Sequence, residues 1–142
     1  MSKILLAVDG SENAGRAVDY VLQFARNSRA PLEVHVLNVQ APVTFGDVKK
    51  FISQDALNAY YHDEGVKVIE AARRRLDKSS IAHHYHIGVG PVAETIVNYA
   101  HEHGCVQIVM GTRGLSPISS LLVGSVASKV LHLTDIPVTY IK

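Results

Sequence analysis

The sequence has few of the features that mark secreted, membrane or nucleic-acid-binding proteins. With a single cysteine, Cys105, it can form no internal disulfide. No segment approaches the roughly 20 consecutive apolar residues of a membrane span, and the apolar run after Met1 is too short for a signal peptide. The formal net charge is only +1, from 14 basic and 13 acidic residues, whereas nucleic-acid binding needs concentrated positive charge. We therefore expect a cytoplasmic protein that binds neither membrane nor nucleic acid.

What the sequence does contain is a regular alternation of strand-like and helix-like segments. Its 142 residues, 47% of them hydrophobic, suffice for one domain over residues 1–142. Five segments have strand character: Ile4–Val8, Leu32–Val39, Ala82–Ile87, Val106–Met110 and Val138–Ile141. Apolar residues recur at helical spacing in each of the four intervals between them. This alternation predicts a doubly wound, Rossmann-like parallel sheet of five strands with helices on both faces, most naturally in the order 3-2-1-4-5.

Residues with special backbone preferences mark the boundaries of these segments. Ser11 is placed to cap the first helix. The segment Gly88–Gly90 predicts a turn, followed by Pro91 at the first position of the third helix, and Gly104 predicts the end of that helix. The segment Gln40–Lys50 contains proline and glycine and is interpreted as a loop, with a possible role as a lid.

A candidate ligand site lies between the predicted first and fourth strands. Asp9 closes the first strand, and a glycine- and serine-rich segment runs from Gly111 to Ser125. In the order 3-2-1-4-5 these strands flank the switch point, where ligands bind in this architecture. Glycines leave backbone N–H groups accessible to phosphate, and the helix that begins near Gly124 adds further donors. A turn and a helix boundary with no ligand would explain the same glycines, and Asp9 would then be a turn-forming residue.

Three segments together resemble the universal stress protein family. The spacing Gly111-x2-Gly114-x9-Gly124-Ser125 is similar to that family's ATP-binding motif. The opening Ile4-Leu-Leu-Ala-Val-Asp-Gly-Ser11 resembles its first strand and turn, and the segment from Gly124 to Val138 resembles its closing helix and strand. The chain departs from the usual pattern where Gln107 and Thr139 replace common apolar residues, which puts local packing in doubt more than binding.

The resemblance implies which residues would contact ATP, with or without Mg²⁺. The ribose and adenine would lie against Ala7, Val8 and Asp9, with Val39 bordering the adenine and Met110 and Gly111 against the nucleoside. The phosphates would be surrounded by Arg113, Gly114, Gly124, Ser125 and Val126. Apart from the resemblance, the place of Asp9 at a strand end favours contact with ribose or with a magnesium ion carried by ATP.

Three functions are compatible with this pattern. The leading hypothesis is an ATP-binding regulatory protein of the stress response, without fast turnover. A slow ATPase or autophosphorylating enzyme is an alternative, although no evident general base accompanies the motif. The third is a dimeric interaction scaffold that binds AMP or no nucleotide. The apolar fifth strand is expected to lie at a sheet edge, so we expect a homodimer formed through residues 137–141.

The histidines invite a separate interpretation. Two groups of potential metal ligands lie close together in the sequence: His83, His84 and His86, and then His101, His103 and Cys105. A His-x-His pair on a strand presents two imidazoles to one face. No aspartate or glutamate in the sequence pattern completes either group, so solvated or capping histidines are favoured over a metal site. Cys105 precedes a buried strand and is interpreted as inert packing, and the arginine run 73–75 as a solvated helix face.

Overall fold

All five predicted strands and four predicted helices are present in the computed structural model, which describes residues 1–43, 52–112 and 123–142. In chain order they are β1 (Ser2–Ala7), α1 (Glu12–Asn27), β2 (Leu32–Gln40), α2 (Gln54–Asp77), β3 (Ala82–Val89), α3 (Val92–Glu102), β4 (Gln107–Gly111), α4 (Ser125–Leu133) and β5 (Val138–Ile141). The strands form one sheet in the order β3-β2-β1-β4-β5, and every pairing is parallel. The predicted strand order is thus confirmed.

Two hydrophobic cores lie on opposite faces of this sheet. Successive side chains of a strand point to opposite faces, and in β1 both faces are apolar. Ile4 and Leu6 enter a core with α1 and α2, whereas Leu5 enters a second core with α3 and α4. Each of these three residues is at most 2% exposed. Burial on both faces explains why the sequence of β1 is an unbroken apolar run rather than an alternating one.

The helix ends follow the predicted capping residues with one exception. The Ser11 hydroxyl oxygen accepts a hydrogen bond from the backbone N–H of Ala14 and caps α1. Gly104 follows α3 with a φ of +65°, a conformation that favours glycine, and so ends that helix as predicted. The prediction for Pro91 was wrong by one position, because Pro91 is the N-cap of α3 and the helix begins at Val92.

The predicted turn at Gly88–Gly90 is largely strand. Gly88 and Val89 continue β3 because β2 extends to Gln40 and supplies both with parallel partners. The chain turns only at Gly90, whose φ is +155° and whose N–H donates to the Gln40 carbonyl oxygen at 3.0 Å. Smaller shifts of one or two residues occur at the ends of β1 and β4.

The two polar departures from the family pattern bond to each other. The Gln107 side-chain amide, at the start of β4, donates to the Thr139 hydroxyl of β5 at 2.6 Å. Each polar group therefore satisfies the other in the partly buried space between adjacent strands. The doubt about local packing is resolved, because the two substitutions form one paired unit.

The longest described helix, α2, has a charged outer face. The three arginines of the run 73–75 each contact a carboxylate: Asp77, Glu70 and Asp19 in that order. This confirms that the basic run is a solvated face with its own counter-charges. Among the residues described, no helix is both long and apolar enough to cross a membrane.

Two helical glycines provide a matched test of how tightly α2 packs on β3. A Cβ on Gly65 of α2 would lie 2.6–2.8 Å from three side-chain carbons of Ile87, whereas a Cβ on Gly15 of α1 would meet nothing within 4 Å. Gly65→Ala should lower the free energy of unfolding by about 1–3 kcal/mol, as expected of overpacking. Gly15→Ala should raise it by up to about 1 kcal/mol through helix propensity. Urea unfolding monitored by circular dichroism measures both, and equal effects would contradict the packing.

Candidate functional site

The carboxyl ends of β1 and β4 lie side by side and receive the first turn of α4. The two strands are neighbours in the sheet. The residue after β4, Thr112, accepts a hydrogen bond at its carbonyl oxygen from the N–H of Gly124 at 2.6 Å. Its own N–H donates to the carbonyl oxygen of Ile141 in β5. Thr112 therefore fixes the start of α4 against the end of the sheet, at the switch point in the strand order.

A buried asparagine joins this corner to the first helix. Asn13, in the first turn of α1, is 5% exposed, and its side-chain amide donates to the Thr112 hydroxyl at 3.4 Å. The Asn13 side-chain oxygen accepts from the guanidinium of Arg16, one turn further along. Buried polar groups are normally hydrogen-bonded, and this pair ties the end of β4 to the helix that follows β1.

Polar side chains of β2 fix the end of β1 from the other side. The amide of Asn38, buried in β2, donates to the Val8 carbonyl oxygen at 2.9 Å. Gln40 donates in turn to the Asn38 side-chain oxygen at 2.6 Å. Val39 lies between them, partly buried against the core under α3 and α4. The Val8 carbonyl oxygen is thus hydrogen-bonded to β2 at the edge of the predicted crevice.

Asp9 forms the turn that leaves β1. Its Oδ1 accepts the backbone N–H of Ser11 at 2.9 Å, and Gly10 between them has a φ of +85°. This is the turn-forming role of Asp9 that the sequence left open. Asp9 is half-buried, and a carboxylate has further lone pairs besides the one used here. Contact between Asp9 and a ligand stays a prediction.

The first turn of α4 is electropositive and has no side-chain cap. Its N-cap is Gly124, which offers no hydroxyl or carboxylate to the first N–H groups, and the first turn contains no acidic residue. Gly124 is buried, Ser125 is exposed and Val126 is half-buried. The first N–H groups of a helix have no partner within the helix, and together with the helix dipole they make such an end favourable for an anion.

The structure brings most of the predicted site residues to this corner. Ala7, Val8 and Asp9 lie at the end of β1, Val39 at the end of β2, and Met110 and Gly111 at the end of β4. Gly124, Ser125 and Val126 form the start of α4. Gly111 proved to be the last residue of β4 rather than part of the following loop, because it pairs with Ile141. Arg113, Gly114 and most of the proposed lid lie outside the described residues.

Three polar residues of this corner were missed by sequence reasoning: Asn13, Asn38 and Thr112. Asn13 and Asn38 each occupy a buried position within an otherwise apolar pattern. That mismatch between residue type and burial was the available signal, since a buried amide requires a specific partner.

The structure groups the histidines differently from the two groups that lie close together in the sequence. His84 and His86 share one sheet face, as the His-x-His spacing predicted, and are joined there by His35 of β2 and His103 of α3. A carboxylate that the sequence pattern did not indicate also reaches this face, because Glu33 accepts from His35 and lies 3.4 Å from His84. A parallel strand, not a nearby sequence position, supplies it.

The remaining members of the two groups lie apart. His83 is on the opposite face, where its Nε2 lies 2.9 Å from Asp77. His101 is exposed near Asp135, and Cys105 is buried in the core, where burial raises the pKa of its thiol. Among residues 1–43, 52–112 and 123–142, no three His, Cys, Asp or Glu side chains are arranged to hold a metal ion.

Known proteins resemble this chain over nearly its whole length. The universal stress protein YxiE of Bacillus subtilis is 28% identical over 146 residues, covering 99% of both chains. The solved structure of hypothetical protein MJ0577 superimposes with a TM-score of 0.84 at 28% identity, covering 99% of this chain and 95% of that one.

Two more distant structures contain nucleotides. A universal stress protein family protein from Arabidopsis thaliana has AMP bound; it is 18% identical, with a TM-score of 0.69 over all of this chain and 92% of that one. Another universal stress protein is in complex with cAMP, at 23% identity and a TM-score of 0.67, covering 99% and 96% of the two chains. At these identities the likeness is one of fold. The profile of the universal stress protein family matches residues 1–142, and the chain therefore belongs to the universal stress protein family.

Proposed function

We propose that this protein binds an adenine nucleotide, specifically ATP, at the carboxyl ends of β1 and β4, and acts as a stress-response regulator without fast turnover. The observation that carries the proposal is the uncapped first turn of α4, held by Thr112 against the sheet at the switch point. An anion-binding helix end beside an apolar crevice fits a ligand with a phosphate tail and an aromatic head. AMP and cAMP in two structures of similar fold support the adenine part.

The nucleoside would lie across the ends of β1, β2 and β4. Val8 packs in the core under α1 and α2, and Met110 and Val39 in the core under α3 and α4, so the side chains beneath this edge are apolar on both faces of the sheet. Such a surface suits the faces of an adenine ring. The free lone pairs of Asp9 would accept a ribose hydroxyl or approach Mg²⁺ carried by the nucleotide.

The phosphates would lie at the start of α4. Backbone N–H groups at Ser125 and Val126, together with the Ser125 hydroxyl, would donate to phosphate oxygens. Hydrogen bonds to charged groups contribute about 1.5–3 kcal/mol each. Arg113 and Gly114 are assigned to the phosphates by the family motif, and a cationic side chain there favours a triphosphate over a monophosphate.

Slow or absent turnover fits what surrounds Asp9. A general base must be free to accept a proton from the attacking group. The Asp9 carboxylate accepts the Ser11 N–H and is assigned here to the ribose or to Mg²⁺, so the site offers no separate base for the terminal phosphate. Nucleotide binding would then act by changing the surface that other proteins contact.

Substitution of Gly124 tests the phosphate site. Gly124 has a φ of −61° and a ψ of 159°, which any residue adopts, so a side chain there acts through space rather than strain. Gly124→Val would cover the first N–H groups of α4 and should weaken ATP binding by about tenfold or more, or at least 1.4 kcal/mol. Gly124→Ala should have a smaller effect. Isothermal titration calorimetry with ATP, AMP and GTP measures all three proteins.

The matched control for this test is Gly15→Ala on α1, where an added Cβ would meet nothing within 4 Å. It should bind ATP as the wild type does. Mass spectrometry of nucleotide co-purified with native protein should find adenine nucleotide. If ATP binds neither the wild type nor Gly124→Val, or binds both equally, the phosphate assignment is wrong.

Incubation with γ-labelled ATP separates a binder from an enzyme. We expect phosphate release close to the uncatalysed background and no label on the protein at saturating ATP. Steady release that Asp9→Asn abolishes, with ATP binding retained, would instead identify a slow ATPase that uses Asp9 as its base.

The same proposal includes a homodimer through β5. This strand lies at one edge of the sheet and pairs only with β4 among the described strands, so its other edge can pair with a second copy around a two-fold axis. Ile141→Glu would bring two like charges together across such an axis and should shift the protein to monomer in multi-angle light scattering at micromolar concentration. Val89→Glu, at the opposite edge of the sheet, should stay dimeric. A monomeric wild type would refute the dimer.

A further inference from the structure

Four histidines from three elements meet on one face of the sheet, away from the proposed nucleotide site. His35 of β2 pairs in register with His84 of β3, and alternation along β3 places His86 on the same face. The end of α3 adds His103, the C-cap residue of that helix. We call these four imidazoles, with Glu33 and Tyr99, the histidine cluster.

The rings of the histidine cluster are packed against one another. The ring centroid of His35 lies 5.2 Å from that of His84, 5.6 Å from that of His86 and 5.6 Å from that of His103. His86 and His103 are 5.7 Å apart. The ring of Tyr99 stacks on that of His103, with 3.8 Å between centroids. These contacts fasten the carboxyl-terminal part of α3 to β2 and β3.

The hydrogen bonds of the cluster suit neutral imidazoles. The Nε2–H of His35 donates to Glu33 at 2.6 Å, and its Nδ1 accepts from the Tyr99 hydroxyl at 3.1 Å. The Nδ1–H of His103 donates to the backbone oxygen of Tyr99 at 3.0 Å. His35 is 5% exposed and fully bonded as a neutral ring. A second proton on its Nδ1 would turn the Tyr99 hydroxyl from donor to acceptor and leave the hydroxyl proton without its partner.

His86 is the member of the histidine cluster that has a buried ring nitrogen without a hydrogen-bond partner among the described residues. Its Nε2 is buried and has no hydrogen-bond partner. When the ring is neutral, this nitrogen lacks one hydrogen-bond donor. When the ring is an imidazolium, the same nitrogen is a buried, charged donor that has no acceptor. Burial of an unpaired charge is far more costly than burial of an unpaired neutral group.

Charge repulsion adds to the cost of protonation. The groups that face the histidine cluster are Glu33 from β2, Lys3 from β1, Tyr99 from α3 and Cys105 after it. Of these, only Glu33 is anionic near neutral pH, and its Oε1 already lies against both His35 and His84. One carboxylate therefore serves four imidazoles, so several positive charges would lie close together without compensation.

The sign of the resulting pH dependence follows from the direction of the shifts. Burial first, then the neighbouring imidazoles, lowers the pKa of His86. Burial also lowers the pKa of His35, against the opposing effect of Glu33. At a pH between these lowered values and the ordinary histidine value of about 6.5, a chain in which α3 has left β2 and β3 binds more protons than a chain in which α3 is in place. Acid therefore favours the state in which α3 has left the sheet. The stabilisation of α3 on the sheet by neutral histidines is complete above about pH 6.5.

We propose that the histidine cluster is an acid-sensitive latch that holds the carboxyl-terminal part of α3 on β2 and β3 at neutral pH and releases it at mildly acidic pH. Release would uncover apolar surface under α3, including Val97 and Ala100. The strands β1 and β4, whose side chains carry no imidazole, would stay paired. The chain would thus respond to acidification by a local opening rather than by global unfolding.

Hydrogen–deuterium exchange at about pH 7.5 and about pH 5.5, corrected for the intrinsic pH effect, tests the latch. In the wild type, amides of α3 and β3 should exchange about tenfold or more faster at the lower pH, while those of β1 and β4 stay protected. The double variant His86→Phe/His103→Phe keeps aromatic rings but removes two protonation sites, and should lose most of this response. His132→Phe, an exposed residue of α4 outside the cluster, should retain it.

Nuclear magnetic resonance titration of the wild-type imidazoles provides a test that needs no variant. We expect His35 and His86 to titrate below the ordinary histidine value of about 6.5, together with shifts of α3 amide resonances at the same midpoints. The proposal is overturned if all histidines titrate at the ordinary value, if α3 exchange does not depend on pH, or if all elements exchange faster together. It is also overturned if the double variant folds and retains the full response.

Discussion

The parallel pairing of β1 with β4 is the interaction on which the rest of the structure depends. Residues Ile4 to Leu6 pair with Gln107 to Val109 in register, although about one hundred positions of sequence separate them. This pairing divides the sheet into two halves whose crossovers run to opposite sides, so α1 and α2 cover one face and α3 and α4 the other. It also leaves a crevice beyond the strand ends, because no crossover covers the point where the direction of winding reverses.

The strand order and the positions of the helices could be predicted from the sequence because the local residue patterns agree with the overall fold. Ile4–Val8 is apolar at every position, which suits only a strand buried on both faces. Ser11 is favourable as a helix N-cap, and Gly104 is favourable just after the end of a helix. Where a prediction was wrong by one or two residues, as at Gly88 and Pro91, the missing information was the length of the neighbouring strand, which no local pattern contains.

What could not be predicted are the side-chain pairs made across strands or between distant elements. Gln107 and Thr139 each look unfavourable alone and become compatible only when β4 and β5 are adjacent. Likewise, Glu33 joins the histidines only because parallel register places β2 beside β3. Pair contacts of this kind depend on both strand order and register, because a shift of one residue in register moves every side chain of a strand to the opposite face of the sheet. The assignment of ligand contacts to Asp9 and the start of α4 came from their predicted place at the switch point and from the family motif, and the fold accommodates this assignment without testing it.

The proposed nucleotide site lies at the carboxyl ends of β1 and β4, whereas the histidine cluster fastens the carboxyl-terminal end of α3 to β2 and β3. Glu94, in the first turn of α3, lies 2.6 Å from Lys129 of α4, near the proposed phosphate site, whereas His103 follows the last turn of α3. That ion pair is partly exposed, and such pairs contribute about 0–1 kcal/mol, so the stronger link between α3 and α4 is apolar packing in their shared core. Because this core is anchored near the first half of α3 by Ala93 and Ile96, release at the histidine cluster would leave α4 seated on the sheet. An acid response and nucleotide binding can therefore coexist in one small domain, since the residues assigned to the nucleotide and those of the histidine cluster have no member in common.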